Sequence, residues 1–377
     1  MLTKFKYFLF FALAYLISYC HSNDDKSIQN NQNKNIKTQV MPENLFLIIK
    51  DSKCGFIDST GKVVIKPQFF IANDFSEGLA AVCKNLFLFF GGKWGYIDKS
   101  GNYVIKPKFD AAFDFSEGLA AVNLDDKFGY IDKSGNFIIE PKFDYAYPFS
   151  EGIAKVELNE KFGFIDKKGN WIAEPKFNDA GKFSCGLAPV RINNKWGYID
   201  KTGKIKIEPQ FEFASSFSED LAVVMVVDKY GYIDTTGKFV IEPKFDYAHE
   251  FSEGLACVEE HCDEEKVDEN AYIPPDFPSD FVPPVRLKCK IGYIDKTGKF
   301  VINPQNFNLA FDFSEGLAAI HNGEKYGFID KTGNFVIPPQ FDNVENFKHG
   351  LAKVITYKGG KIGYIDKTGK YVWEPQL

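Results

Sequence analysis

The string Gly, Tyr or Phe, Ile, Asp that starts at Gly55 returns at Gly95, Gly129, Gly163, Gly197, Gly231, Gly292, Gly327 and Gly363, so one short unit is written nine times over most of the chain. Five of these copies, from Gly95 to Gly231, follow one another at 34 residues. A fixed period of this size marks a stacked array of small supersecondary units rather than a sequence of globular domains. Residues present in every copy perform one structural job repeatedly, which argues against a catalytic centre among them.

The unit is clearest at 120–152, where three β-rich runs are separated by turn residues, the pattern of a three-stranded antiparallel meander. We call these strands A (119–124), B (127–132) and C (136–140). Between B and C each copy carries Asp, two further residues and Gly, as in Asp98 and Gly101, Asp132 and Gly135, or Asp200 and Gly203. This predicts a type I turn completed by a left-handed glycine, with the aspartate accepting backbone N–H groups of the turn. Calcium ligation there is the weaker reading, because each turn offers one carboxylate beside a lysine where a calcium site gathers several oxygens. At its proline, for example Pro107 or Pro141, strand C lacks a ladder donor, so pairing is expected to stop there or to run along a sheet edge. The spacing of Phe109, Ala112, Phe113 and Phe115 then suits one helical turn or a compact corner. The glycine inside strand B is expected to admit an aromatic ring from the neighbouring repeat.

The N-terminus reads differently. Lys4 and Lys6 precede an apolar run from Tyr7 to Ile17, and Cys20 follows directly, so 1–20 reads as a signal peptide that resembles a bacterial lipobox with Cys20 as the lipidated residue. Tyr19 departs from the small residue usual before that cysteine. Residues 21–40 are polar and Asn-rich without periodicity, a flexible tether ahead of the repeat domain at 41–377. The expected location is an exported, membrane-anchored lipoprotein of the cell envelope, with the lipid as the only membrane contact. The formal charge is -6 and basic residues are scattered, which excludes nucleic acid as a natural partner.

Whole A-B-C units from Leu45 to Leu377, with no unit split between the termini, favour an open, superhelically twisted solenoid of nine all-β units. Nine blades also exceed the usual four to eight of a propeller, so a closed propeller-like ring is the alternative.

The consensus Lys-Trp-Gly-Tyr-Ile-Asp-Lys-Thr-Gly-Lys, then Val-Ile-x-Pro-x-Phe-Asp and Phe-Ser-Glu-Gly-Leu-Ala-x-Val, resembles the WG-repeat family of bacterial proteins, also called KWG repeats, over 45–377. The Trp-Gly pair itself stands only at Trp94 and Trp196. The resemblance implies an all-β repeat, often on exported or surface-attached proteins, without a common enzymatic activity.

Departures from the period are where specificity is expected. At 85–92 the A to B connection is longer and contains Leu86, Phe87, Leu88, Phe89 and Phe90, read either as a hairpin packed on a neighbour or as a sticky interaction surface. A second insertion, acidic and proline-rich, is flanked by Cys262 and Cys289, which in an exported protein are disulfide candidates. A metal site from Cys257, His261, Cys262 and Cys289 is the rival, with a spacing irregular for zinc. No cofactor, metal or catalytic residue is expected. The reading is a non-enzymatic scaffold that binds an envelope or extracellular protein, with glycan or cell-wall binding through the repeated aromatics as the alternative.

Overall fold

A computed structural model describes residues 42–84, 92–265, 286–357 and 360–375 of the chain. Cys20, the apolar group Leu86, Phe87, Leu88, Phe89 and Phe90, and most of the 262–289 insertion lie outside the described residues.

The described strands form nine antiparallel sheets, eight of them four-stranded and the first three-stranded. Each sheet contains the expected A, B and C strands of one repeat, and all but the first add a strand from the segment after the previous strand C, two residues long in seven sheets and six, Tyr145–Ser150, in the fourth. In the third blade (111–143) the order is short strand Ala111–Ala112, A at Ala120–Leu124, B at Lys127–Ile131 and C at Phe137–Phe143. The segment read as one helical turn or a compact corner is therefore a short strand and a tight hairpin, with no helical turn. Ser116 bridges to Leu119 across Glu117 and Gly118, whose φ angles are 53° and 86°. Two central residues with positive φ define a type I′ turn, the closure that matches strand twist.

Strand C continues through its proline as the edge strand of its sheet. In the second blade (71–109) it runs from Tyr103 to Phe109 through Pro107, and Trp94 and Tyr96 of strand B pair with Phe109 and Ile105. Two residues on B thus face four on C, so the proline sits in a bulge where its missing N–H costs no ladder bond. The glycine of strand B makes this crossing possible. A Cβ on Gly95 would lie 2.5 Å from the Ile105 carbonyl oxygen and 2.7 Å from Pro107 N. The group admitted by the glycine is the backbone of its own repeat, and not a neighbour's aromatic ring.

Blade-to-blade packing instead uses the aromatic after that glycine. Tyr96 and Tyr130 are fully buried, stack edge-on with Phe115 and Phe149 of the next blade at 4.9 and 4.8 Å, and donate hydroxyl hydrogens to the Phe113 and Tyr147 carbonyls. Burying one such ring stabilises by about 1.5 to 3 kcal/mol, with about 0.5 to 1.5 more from the edge-to-face contact. A polar clamp adds to this. Ser76 donates to the Phe115 carbonyl at 2.7 Å, the Glu77 carboxylate accepts Gly118 N–H at 3.1 Å, and Lys133 lies 3.1 Å from the same carboxylate. The carboxylate of each such turn therefore holds the turn of the following blade.

The expected open array is overturned by the ends of the chain. Nine hydrophobic clusters each join two blades, and the ninth joins the last blade to the first through Phe46, Ile48, Ile57, Leu351, Ile362 and Tyr364. Tyr364 stacks on Phe46 at 5.5 Å and donates its hydroxyl to the Leu47 carbonyl at 2.7 Å. Leu47 corresponds to Ala121, whose carbonyl accepts Phe113 N–H from the short strand. The first blade has no such strand among the described residues, and the tyrosine of the last blade takes the open acceptor. The described residues form a closed nine-bladed propeller.

Candidate functional site

At the B to C turns, Asp132 Oδ1 accepts the N–H groups of Ser134 and Asn136 at 2.9 Å each, and these bonds, that of Asn136 first, hold its carboxyl below the usual range. Asp98 and Asp200 make the equivalent bonds, and Gly101, Gly135 and Gly203 have φ of 84°, 85° and 77°. With Oδ1 of each taken by two backbone N–H groups, these aspartates serve the hairpins.

The two long interruptions of the period both leave from A to B connections, which makes that face the place to look. Most connections there are two-residue turns with both φ positive, such as Asp125 (52°) and Asp126 (63°). A second clamp operates here: one Asp110 oxygen takes Lys93 of its own repeat at 2.6 Å, and the other takes Asp125 N–H of the next blade at 3.2 Å.

On this face the strand register sets aromatic residues side by side. Phe213 of a short strand pairs with Met225 of strand A, which pairs with Tyr230 of strand B. The same positions of adjacent blades continue the row. Trp196 to Phe213 is 6.4 Å, Phe213 to Tyr230 is 6.0 Å, Tyr230 to Tyr247 is 5.2 Å, and Tyr247 to the His249 ring is 5.4 Å between centroids. Phe213 remains 39 % and Tyr247 47 % exposed. His249 Nδ1 lies 3.0 Å from Asp312 Oδ1 of the next blade; burial opposes its charge, but the Asp312 carboxylate together with Glu259 and Glu250 raises its pKa.

A shorter row, Phe113, Tyr145, Tyr147 and Phe162, spans the third and fourth blades. Lys155 lies 3.9 Å from the Tyr147 ring centroid and donates to the Ala180 carbonyl at 2.7 Å. Burial lowers its pKa to about 8 against the pull of Asp179 and Glu157.

Beside the longer row stands the foot of the large insertion. The paired strands Ala256–Glu265 and Arg286–Ile294 extend beyond the usual hairpin, with a register shift between Glu260 and Asp263. There Cys262 and Cys289 are joined, with an S–S distance of 2.00 Å and Cα atoms 4.1 Å apart. Cys262 N–H also meets the Asp246 carboxylate at 3.2 Å, which seats the extended hairpin on the ring. Cys257 is buried in the core between blades, so the four residues of the metal reading do not converge.

A third polar contact joins the second and third blades. Asn73 donates to Asp114 of the next blade at 2.9 Å. Burial raises the Asp114 carboxyl to about 6, with Asp74 adding to the rise while Asn73 and Lys348 oppose it.

The clamp residues and the hydroxyl of the strand B tyrosine escaped the reading of the sequence. A signal was present, because the turn glutamate and the B to C lysine of the following repeat are lost together at Cys185 with Thr235 and at His349 with Ser59.

Among solved structures, the chain is similar to one titled a crystal structure of the eukaryotic initiation factor, at 12 % identity and TM-score 0.57, covering 89 % of this chain and 97 % of that one. This likeness supports the fold alone. It is also similar to apo AztD from Citrobacter koseri (13 % identity, TM-score 0.38, 88 % and 94 % covered) and to a quinonprotein alcohol dehydrogenase-like protein from Bacteroides thetaiotaomicron (11 %, 0.35, 78 % and 81 %), neither close enough to bear on the fold. No curated protein matches the chain. The WG containing repeat matches at 55–85, 94–128, 128–162, 162–196, 196–230, 230–261, 291–326 and 326–361. With well over half of its length matched in tandem, the chain belongs to the WG containing repeat family.

Proposed function

We propose that the protein is a non-enzymatic, envelope-attached scaffold that binds a protein partner on the face formed by the A to B hairpins. The observation that carries this is the row Trp196, Phe213, Tyr230 and Tyr247, which crosses three blades and keeps Phe213 and Tyr247 substantially exposed. Partly exposed aromatics in a connected patch, next to a disulfide-based extension, have the composition of a recognition surface. The burial of Tyr96, Tyr130, Tyr198, Tyr232 and Tyr293 supports a protein partner over a glycan, because the aromatics that recur most regularly are spent on blade packing. Attachment rests on the segment ending at Cys20.

The test uses the full chain and its Phe213→Ser, Tyr247→Ser double variant, each offered to envelope proteins and to a glycan array. Capture of a specific protein by the parent and its loss in an equally folded variant is the expected result. Equal capture by both, or glycan binding without a protein partner, would reverse the reading. For attachment, Cys20→Ala is expected to abolish lipid labelling and release the chain from membranes, measured by fractionation.

A further inference from the structure

The A to B turn of the eighth blade (309–341) is built differently from its counterparts. In the first, third, fourth, fifth and sixth blades two consecutive residues with positive φ close this hairpin, as at Asp125 with Asp126 and Asn193 with Asn194. The strand register places Gly323 and Glu324 at the same two positions, and of these only Gly323, at 105°, has a positive φ. The residue ahead of the pair is Leu124, Leu158, Ile192 or Val226 in the third to sixth blades, and here it is Asn322.

Asn322 and Gly323 form the single Asn-Gly pair of the chain. In such a pair the glycine backbone nitrogen can attack the side-chain amide carbon and close a five-membered ring, and glycine, without a Cβ, hinders that approach least.

Three groups are set around this reaction. The Gly323 N–H, which gives up its proton when the nitrogen attacks, donates to His321 Nδ1 at 3.2 Å. An imidazole accepting through Nδ1 is in the position of a general base, within hydrogen-bond reach of the proton to be removed. Asn322 Oδ1, where negative charge develops during the attack, accepts the N–H groups of Glu324 at 3.0 Å and Lys325 at 2.9 Å. Two backbone donors on the oxygen of the attacked carbonyl are the parts of an oxyanion hole. The His321 ring rests on the buried Tyr326 ring at 4.5 Å between centroids, and Asn322 N–H donates to the Lys325 carbonyl at 3.1 Å, which closes the turn. Asn322 and Gly323 are exposed, so water reaches the product.

We infer that Asn322 is a self-modifying site, where the turn converts its own amide to a carboxylate in one intramolecular reaction with His321 as the base. Gly323 N passes its proton to His321 Nδ1 and bonds to Asn322 Cγ, while the Glu324 and Lys325 N–H groups hold the oxyanion. The bond from Cγ to Nδ2 then breaks, and Nδ2 leaves as ammonia with the proton returned by the imidazolium. Water, the only co-reactant, opens the cyclic imide at one carbonyl or the other. The products are aspartate at position 322 and isoaspartate, which carries one more methylene in the backbone. The chain thus has two chemical forms that differ by one charge on the A to B face, beside Lys325 and its partner Asp342. The inference stands on this turn alone and is independent of the aromatic row.

The test is a time course on the full, folded chain near neutral pH, with peptide mapping by mass spectrometry that separates asparagine, aspartate and isoaspartate. Asn322 is expected to convert faster than Asn159, Asn193 and Asn194, which stand in the same connection of other blades. His321→Phe keeps a ring against Tyr326 but removes the base, and is expected to slow conversion by roughly tenfold to a hundredfold. The parent unfolded in urea at the same pH keeps the Asn-Gly pair without the arranged base and donors, and is expected to convert more slowly than the folded chain. The inference is overturned if Asn322 keeps its amide in the folded chain while the unfolded chain loses it, or if the His321→Phe variant, folded by circular dichroism, converts at the parent's rate.

Discussion

Gly95 and Gly118 are both glycines for steric reasons, yet the reasons differ and so do the expected costs of replacing them. A Cβ at Gly95 would collide with the Ile105 carbonyl and Pro107, whereas Gly118 has open space and only a φ of 86° to satisfy. Gly118→Ala is expected to cost about 1 to 2 kcal/mol, the penalty of a left-handed residue. Gly95→Ala is expected to cost more, since crowding of about 1 to 3 kcal/mol falls on backbone that cannot step aside. Thermal unfolding of the two variants ranks them, and an equal shift would refute the crossing as the reason for the strand B glycine. Asp114 makes a pH prediction. Its folded pKa of about 6 lies above the ordinary carboxylate value, so its ionisation opposes folding as pH rises from about 4 to 6 and remains a fixed cost above that. Asp114→Asn is therefore expected to stabilise the protein at pH 7.5 and to be neutral near pH 3.5, read from unfolding midpoints at both. The turn role of Asp132 and Gly135 was visible in the sequence because the cause is local, within four residues. The role of the strand B glycine was visible only as a need for space, since the sequence does not say whose atoms fill it.

At the scale of elements, the blade is offset from the repeat. A unit read as A, B and C supplies three strands to one sheet and, past its proline, a short strand to the next, so each repeat is shared between two blades. The short strand was illegible because Ala111–Ala112 is only two residues long, below any window in which alternation can be counted. The extended hairpin of the seventh blade (247–305) gives a separate prediction. Closing a loop of 27 residues through Cys262 and Cys289 stabilises by about 3 to 4 kcal/mol in the chain-entropy model. Cys262→Ser with Cys289→Ser is expected to raise amide exchange in Ala256–Glu265 and Arg286–Ile294 while the other blades stay protected. Non-reducing peptide mapping of the parent should recover the two cysteines in one linked peptide, and two free thiols would refute the bond.

For the whole molecule, closure is a matter of side chains. A propeller sealed by sharing a blade between its termini would have shown a split unit, and the absence of one favoured the open array. The ring instead closes through Tyr364, Phe46 and their cluster, contacts made between residues more than 300 positions apart that no local pattern reveals. Tyr364→Phe removes one hydroxyl bond, worth about 1 kcal/mol, as does Tyr130→Phe inside the array. Exchange should rise at the ends of the chain in the first variant and between the third and fourth blades in the second; identical profiles would contradict closure. Since, among the described residues, each sheet is drawn from one continuous stretch of chain, every blade after the first is a transferable unit. An in-frame duplication or deletion of one repeat in the gene would leave each remaining joint with both of its partners and ask only for a small change in the angle between neighbours. Blade number in such a ring is thus open to change by a single recombination event, a freedom denied to propellers whose ends are woven into one sheet.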